Sequence, residues 1–163
     1  MAVAGVERQF TSNVKVDTHN RKTDLLMVDT NDSVIVENSI NTLEQLLAKD
    51  DKYKVVGFHL EYTSNRAGHD QMFVVAQLCV CHHVLVYHYY MATRPCECFA
   101  RFVNNPDYRF TTVDTTNYLN VLKTLGLSSQ KLVNIQGRYR IWGGENKKQN
   151  ESLSNLAASI IDP

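Results

Sequence analysis

The sequence lacks the basic excess that is typical of proteins that hold nucleic acid through its phosphates. Its 163 residues contain 17 Lys and Arg against 17 Asp and Glu, so the formal net charge is zero. Neutralisation of phosphates by Lys and Arg supplies most of the sequence-independent affinity for nucleic acid. Any binding of nucleic acid therefore has to come from a local patch, and we expect it to be weak.

Signals for secretion or membrane insertion are also missing from the sequence. Residues 1–8 have neither the basic start nor the apolar stretch of a signal peptide. No apolar run reaches the roughly 20 residues of a membrane span, and the longest apolar-rich stretch, residues 72–90, is interrupted by Gln77 and three His. These absences favour an intracellular protein, nuclear or cytoplasmic, with no membrane partner. Its four Cys are then expected to be thiols.

Internal repeats and low-complexity tracts are absent, and what the sequence does contain suits an ordinary folded domain. Hydrophobic residues make up 44% of the chain, close to the average for globular proteins. A length of 163 residues fits one domain with one core. Wholesale disorder is therefore not expected.

An N-terminal hairpin and a helix are predicted first. Polar and apolar residues alternate through residues 8–36, and residues 19–22 have the composition of a hairpin turn. Apolar residues at helical spacing follow, and either Asn38 or Ser39 can cap that helix. Residues 1–29 are accordingly assigned to an N-terminal extension or hairpin, and 30–163 to the main domain.

The rest of the chain predicts an α/β architecture. Its predicted elements are strands at 54–62, 72–81 and 84–90, a helix beginning near Pro95, a strand at 108–113, and a helix capped by Thr115 or Thr116 and ended by Gly126. Three strands with short connections form an antiparallel meander, and a strand that returns after a helix lies parallel to the first. The prediction is a mixed sheet with flanking helices.

Three segments in this order resemble the DEDD-type 3′–5′ exonucleases. Residues 55–62, VVGFHLEY, resemble the first motif, an apolar strand ending in Gly-Phe-Asp-x-Glu and an aromatic residue. Residues 74–80 resemble the second strand of the Werner-like members, and 113–127 resemble the helix that carries the second motif. The likeness covers roughly residues 30–161 and is best with plant Werner-like proteins. It implies an RNase H-like fold.

The resemblance implies a site in which carboxylates hold two divalent metal ions for phosphodiester hydrolysis. Mg²⁺ takes oxygen ligands, and residues i and i+2 of a strand point to the same face. In this chain His59 stands at the first carboxylate position, and Glu61 keeps its role. Imidazole adds no negative charge and suits Zn²⁺, Mn²⁺ or Ni²⁺ better than Mg²⁺.

The second motif of the family has lost its acid in this sequence. The family spacing places that acid at Asn117, and a register one residue away would give Thr116 or Tyr118. None of the three is acidic. Asp114 is the nearest carboxylate, and its position favours a helix cap over a metal ligand. The metal ligands implied are thus Glu61, with His59 and Asp114 as weaker candidates.

The third motif of the family, a Tyr or His followed four residues later by Asp, is not found. Residues 153–163 resemble the segment that precedes it, and the sequence ends at Pro163. We therefore expect a C-terminally incomplete, degenerate exonuclease domain, in effect a pseudoenzyme, with Mg²⁺ or Mn²⁺ as its metal if it is active.

Two other groups of residues have compositions found in binding sites. Cys79 with Cys81 and Cys96 with Cys98 could offer four thiolates to Zn²⁺, but the spacing favours core and turn cysteines. Residues 137–142 interleave basic and aromatic side chains as nucleic-acid surfaces do, and alternation on an edge strand explains them equally well. The nucleic-acid-binding candidates are Arg138, Arg140 and Trp142.

Three functions remain open from the sequence. The first is a degenerate exonuclease-like domain that binds nucleic acid weakly. The second is an active, metal-dependent 3′–5′ exonuclease that uses His59, Glu61 and Asn117. The third is a protein-interaction module, including one that associates with itself, because fold alone does not fix function.

Overall fold

Seven strands form one mixed sheet in the computed structural model, which describes residues 9–18, 21–49, 53–63, 72–92, 94–129 and 131–136. The described elements are, in chain order, β1 (Gln9–Thr18), β2 (Arg21–Thr30), α1 (Ser33–Leu47), β3 (Val55–Tyr62), β4 (Phe73–Val80), β5 (His83–Tyr87), a 3-10 turn (Tyr89–Met91), α2 (Glu97–Val103), β6 (Arg109–Thr112), α3 (Thr115–Thr124) and β7 (Leu132–Asn134). The strands are ordered β1-β2-β5-β4-β3-β6-β7 across the sheet.

The pairing of the strands confirms the predicted topology. β3, β4 and β5 form an antiparallel meander, and β6 lies parallel to β3 after the crossover through α2. β7 adds a further parallel strand beside β6. Its three residues are too few to show an alternating pattern, so the sequence does not predict a strand there.

The N-terminal hairpin belongs to the same sheet. β1 and β2 pair antiparallel over their whole length, and β2 pairs in parallel with β5. The division of the chain at residues 29 and 30 stays a prediction about folding units, because within the described residues the hairpin and the meander share one ladder.

The first helix begins earlier than predicted. The alternation through residues 8–36 predicts that 34–36 continue the extended segment, but α1 starts at Ser33. Asp32 caps it, since its Oδ1 accepts a hydrogen bond from the backbone N–H of Val34 at 2.7 Å. The prediction of Asn38 or Ser39 as the cap is therefore wrong. Val34, Ile35 and Val36 are β-branched and suit a strand, so their pattern does not reveal that the Asp32 carboxylate before them caps a helix.

The ends of the other two helices follow the sequence more closely. α2 begins at Glu97, two residues after Pro95. Asp114 occupies the N-cap position of α3 in a left-handed conformation, with φ 51°, so Thr115 and Thr116 lie inside the helix and do not cap it. Gly126 has φ 68° just after α3, as expected of the residue that ends a helix.

Aromatic contacts fix the helices on one face of the sheet. Phe58 of β3 contacts Phe110 of β6, with ring centroids 5.4 Å apart, and Tyr118 of α3 at 6.2 Å. Phe110 in turn contacts Phe102 of α2 at 5.9 Å. Both helices thus cover the face to which Phe58 points, and α1 packs against α2 and against β2, β4 and β5.

Neither the length nor the apolar character needed for a membrane span is found in any helix of the described part of the chain.

One buried hydroxyl leads to a stability prediction. Tyr87 is fully buried, and its hydroxyl has no hydrogen-bond partner among the described residues. Since an unsatisfied buried hydroxyl is destabilising, Tyr87→Phe should raise the free energy of unfolding by about 1 kcal/mol, measured by urea denaturation at neutral pH. A loss of stability would contradict this and would mean that the hydroxyl has a partner.

The same residue gives a prediction for alkaline pH. Burial raises the pKa of the Tyr87 hydroxyl well above its ordinary value. Because the folded state holds this proton more tightly than the unfolded chain, the free energy of unfolding is independent of this group below the unfolded pKa, about 10, and falls as the pH rises beyond it. Tyr87→Phe should therefore reduce the loss of stability between neutral and strongly alkaline pH, followed by denaturation at several pH values. An unchanged pH dependence would contradict the assignment.

Candidate functional site

The end of β3 carries the two motif residues past the neighbouring strand. The last paired positions of β3 and β6 are Gly57 and Thr111, so His59 and Glu61 lie beyond the paired segment of β6. They alternate with the buried Phe58 and Leu60 along β3, and therefore point to the other face of the sheet. Both side chains therefore lie at the end of β3 that is next to the start of α3.

His59 links Glu61 to Tyr118 through both of its ring nitrogens. Its Nε2 lies 2.9 Å from Oε1 of Glu61, and its Nδ1 lies 2.6 Å from the hydroxyl of Tyr118. A carboxylate can only accept, so Nε2 carries a proton and donates it to Glu61. In the neutral imidazole Nδ1 then accepts from the Tyr118 hydroxyl. Neutral His59 has no free ring nitrogen in this arrangement.

Burial keeps the Tyr118 hydroxyl protonated, as this arrangement requires. Tyr118 is 2% exposed, whereas the side chains of His59 and Glu61 are 30% and 60% exposed. Burial, with smaller contributions from the charges of Glu61 and Asp114, raises the pKa of the Tyr118 hydroxyl. The hydroxyl is therefore a hydrogen-bond donor at neutral pH and a poor nucleophile.

Asp114 is the centre of a second network beside the first. Its Oδ2 accepts hydrogen bonds from the Tyr62 hydroxyl at 3.2 Å and from the Asn117 amide at 2.6 Å. Burial, and then the charge of Asp114, raises the pKa of Tyr62. Asp114 stands at the N-cap position of α3, but its side chain makes no capping hydrogen bond to the helix backbone.

The two networks adjoin. The rings of Tyr62 and Tyr118 meet edge to face, with centroids 6.2 Å apart. All four residues proposed from the motifs therefore come together at the junction of β3 and α3: His59 and Glu61 from the strand, Asp114 and Asn117 from the start of the helix. Within the described residues, no group of three or more His, Cys, Asp or Glu is placed to hold a metal ion.

Sequence reasoning missed the parts that the two tyrosines play. In the sequence, Tyr62 is only the aromatic end of the first motif, and Tyr118 is only an alternative register for the second acid. Neither pattern shows which polar group a buried phenol contacts. The nucleic-acid candidates Arg138, Arg140 and Trp142 and the C-terminal segment 153–163 lie outside the described residues.

The cysteines occupy separate places in the fold. Cys79 and Cys81 lie at the turn between β4 and β5, and Cys81 adopts φ 53° there. Cys96 and Cys98 are buried at the start of α2, where burial raises the pKa of the Cys98 thiol to about 11. All four are free, as expected, and these surroundings suit thiols in the core and in a turn.

Comparison with known proteins finds likeness in structure but not in sequence. No family model matches the chain, and no curated protein matches it. It is similar to Escherichia coli RNase D, an exoribonuclease involved in structured RNA processing, with 14% identity over 74% of this chain and a TM-score of 0.58. It is similar to the EXD2 exonuclease domain soaked in Mn, with 12% identity over 82% of this chain and a TM-score of 0.57, and to that domain soaked in Mg and GMP, with 12% identity over 82% and a TM-score of 0.55.

These matches show the fold. The chain spans 30% of RNase D and 67–68% of the EXD2 domain in these two structures. The predicted RNase H-like mixed sheet with flanking helices is confirmed, and it is the fold of 3′–5′ exonuclease domains. The finer resemblance to Werner-like and plant proteins is not supported by these neighbours and stays a prediction.

The hydrogen bond between Tyr118 and His59 predicts a measurable loss of stability. Tyr118→Phe removes the hydroxyl and leaves Nδ1 of His59 without its donor, so the free energy of unfolding should fall by about 1 kcal/mol. Tyr62→Phe, the same chemical change at the longer bond to Asp114, should cost less. Urea denaturation of both variants at neutral pH measures the difference. Equal effects, or a larger effect at Tyr62, would contradict the assigned network.

Proposed function

We propose that this chain is a degenerate 3′–5′ exonuclease-like domain, related to nucleic acid by its fold but with little or no Mg²⁺-dependent phosphodiesterase activity. The fold of exonuclease domains supports the first part. EXD2 domains of this fold were studied with Mg and Mn, which makes a divalent cation the natural cofactor to test here.

The proposal rests mainly on the two hydrogen bonds of the His59 ring. At the position where the family has a carboxylate, this side chain donates one hydrogen bond to Glu61 and accepts one from Tyr118. A cation that approached Glu61 on this side would have to displace the N–H of His59. The network therefore gives Glu61 a proton donor where an exonuclease would place a metal ion.

The shortage of negative charge at the junction of β3 and α3 also argues against a magnesium site. Asn117, at the position of the second acid, donates its amide to Asp114 and adds no negative charge. Two Mg²⁺ ions held together require several carboxylate oxygens. Loss of a residue that merely supports a metal ligand already costs about 10–100-fold in affinity or activity. Replacement of two ligands by neutral groups should cost considerably more, and the residues at this junction do not fit a pair of magnesium ions.

The proposal includes weak binding of nucleic acid. The alternative is a scaffold that binds protein partners. Mobility shifts with single-stranded DNA and RNA at several salt concentrations separate the two. Salt-sensitive shifts support nucleic-acid binding. Their absence at low salt would favour a scaffold that has kept only the fold.

The activity itself is tested by incubating the purified chain with duplexes that have recessed 3′ ends, in Mg²⁺ and in Mn²⁺. We expect no release of mononucleotides above that of the Glu61→Ala variant. Robust release that disappears in Glu61→Ala would refute the proposal and establish an active enzyme.

Restoring the two lost charges tests whether the junction is the ancestral metal site. His59→Asp combined with Asn117→Asp should raise the affinity for Mn²⁺ by about tenfold or more, measured by calorimetry, because carboxylates replace neutral groups. The matched control, His59→Asn with Asn117 unchanged, removes the imidazole without adding charge and should show no increase. Equal affinities in the two variants would argue against a metal site at this junction.

A further inference from the structure

β1 presents a long backbone edge for pairing. It pairs with β2 through ten consecutive positions without a bulge, and no described strand pairs with its other side. Edge strands in natural proteins are usually short, kinked by bulges, interrupted by Pro or lined with charged residues such as Lys, because their free N–H and C=O groups act as a template for another strand. β1 has ten residues, no bulge and no Pro, so of these protective features it keeps only charged residues, Lys15 among them.

We propose that β1 is a self-association edge: it pairs antiparallel with β1 of a second copy of this chain, about a twofold axis that passes beside Asn13. Such an axis stands perpendicular to the sheet and joins the two seven-stranded sheets into one continuous sheet. It sets residues equally distant from Asn13 opposite each other. This inference does not depend on the proposed function, since β1 lies at the opposite edge of the sheet from β6 and β7.

The side chains of β1 fit this axis. Phe10, which is 56% exposed, comes opposite Val16 of the second copy, and each dimer contains two such pairs. Pairs of an aromatic and a β-branched residue are among the stabilising cross-strand pairs. The pairing thus covers one of the exposed large apolar side chains in the described part of the molecule.

Charge also favours this axis over those at Val14 and Lys15. With the axis at Asn13, Lys15 comes opposite Thr11 of the second copy, and no two lysines are opposed. An axis at Lys15 would place the two Lys15 side chains directly opposite each other, and one at Val14 would place them on a diagonal. Like charges directly opposite each other destabilise a sheet, so the axis at Asn13 is preferred.

The pairing of Thr11 with Lys15 supplies the test. Thr11→Asp places a negative charge opposite each Lys15 and should tighten the dimer. Thr11→Lys places two positive charges together and should weaken it. Because the twofold axis repeats each pair, dissociation constants of the two variants should differ by about tenfold at low salt. The difference should shrink at high salt. Sedimentation equilibrium of the whole chain over a wide concentration range measures both constants.

Matched changes on the neighbouring strand provide the control. Thr23 is an exposed residue of β2 and lies away from the proposed axis, so Thr23→Asp and Thr23→Lys should leave the dissociation constant unchanged. Adding Lys15→Glu to Thr11→Lys should restore tight association, since opposite charges then face each other again.

Several outcomes would overturn the proposal. A chain that stays monomeric at every concentration excludes self-association. A dimer whose constant is the same in Thr11→Asp and Thr11→Lys forms through another surface. Failure of Lys15→Glu to rescue Thr11→Lys would exclude the axis at Asn13. Circular dichroism of each variant confirms that the sheet is intact, so that loss of the dimer cannot be attributed to unfolding.

Discussion

The hydrogen bonds of His59 tie the end of β3 to the helix that follows β6. One ring nitrogen is tied to Glu61 on the same strand, and the other to Tyr118 on the helix that follows β6. These two hydrogen bonds hold the end of β3 against α3 and bring the Glu61 carboxylate into one network with the Tyr118 hydroxyl.

The second network of the site is centred on Asp114. Asn117 donates its amide N–H to Oδ2 of Asp114, and the Tyr62 hydroxyl donates to the same oxygen. Stability and metal binding compete at such a site, because each carboxylate oxygen that accepts from a protein donor is less available to a cation.

Much of the fold could be predicted from the sequence, for physical reasons that can be named. The meander and the parallel return of β6 follow from alternating apolar residues and short connections, and Gly126 marks the end of α3 by its positive φ. The start of α1 could not be predicted from periodicity, because residues 34–36 suit a strand and only the cap at Asp32 decides. Of the site, the motif positions could be predicted, and their partners could not. Contacts such as that between His59 and Tyr118 join residues far apart in the sequence and leave no local pattern.

The overhang of β3 beyond β6 has a consequence for substitutions at His59. Because His59 lies past the paired segment of β6, its imidazole ring can contact the buried phenol of Tyr118 as well as Glu61. A shorter acidic side chain at the same position would leave that phenol without its acceptor in the protein interior, at a cost in folding. A change of His59 to Asp is therefore expected to lower the free energy of unfolding. The effects of substitutions at positions 59 and 118 should depend on each other, because the two side chains share one hydrogen bond.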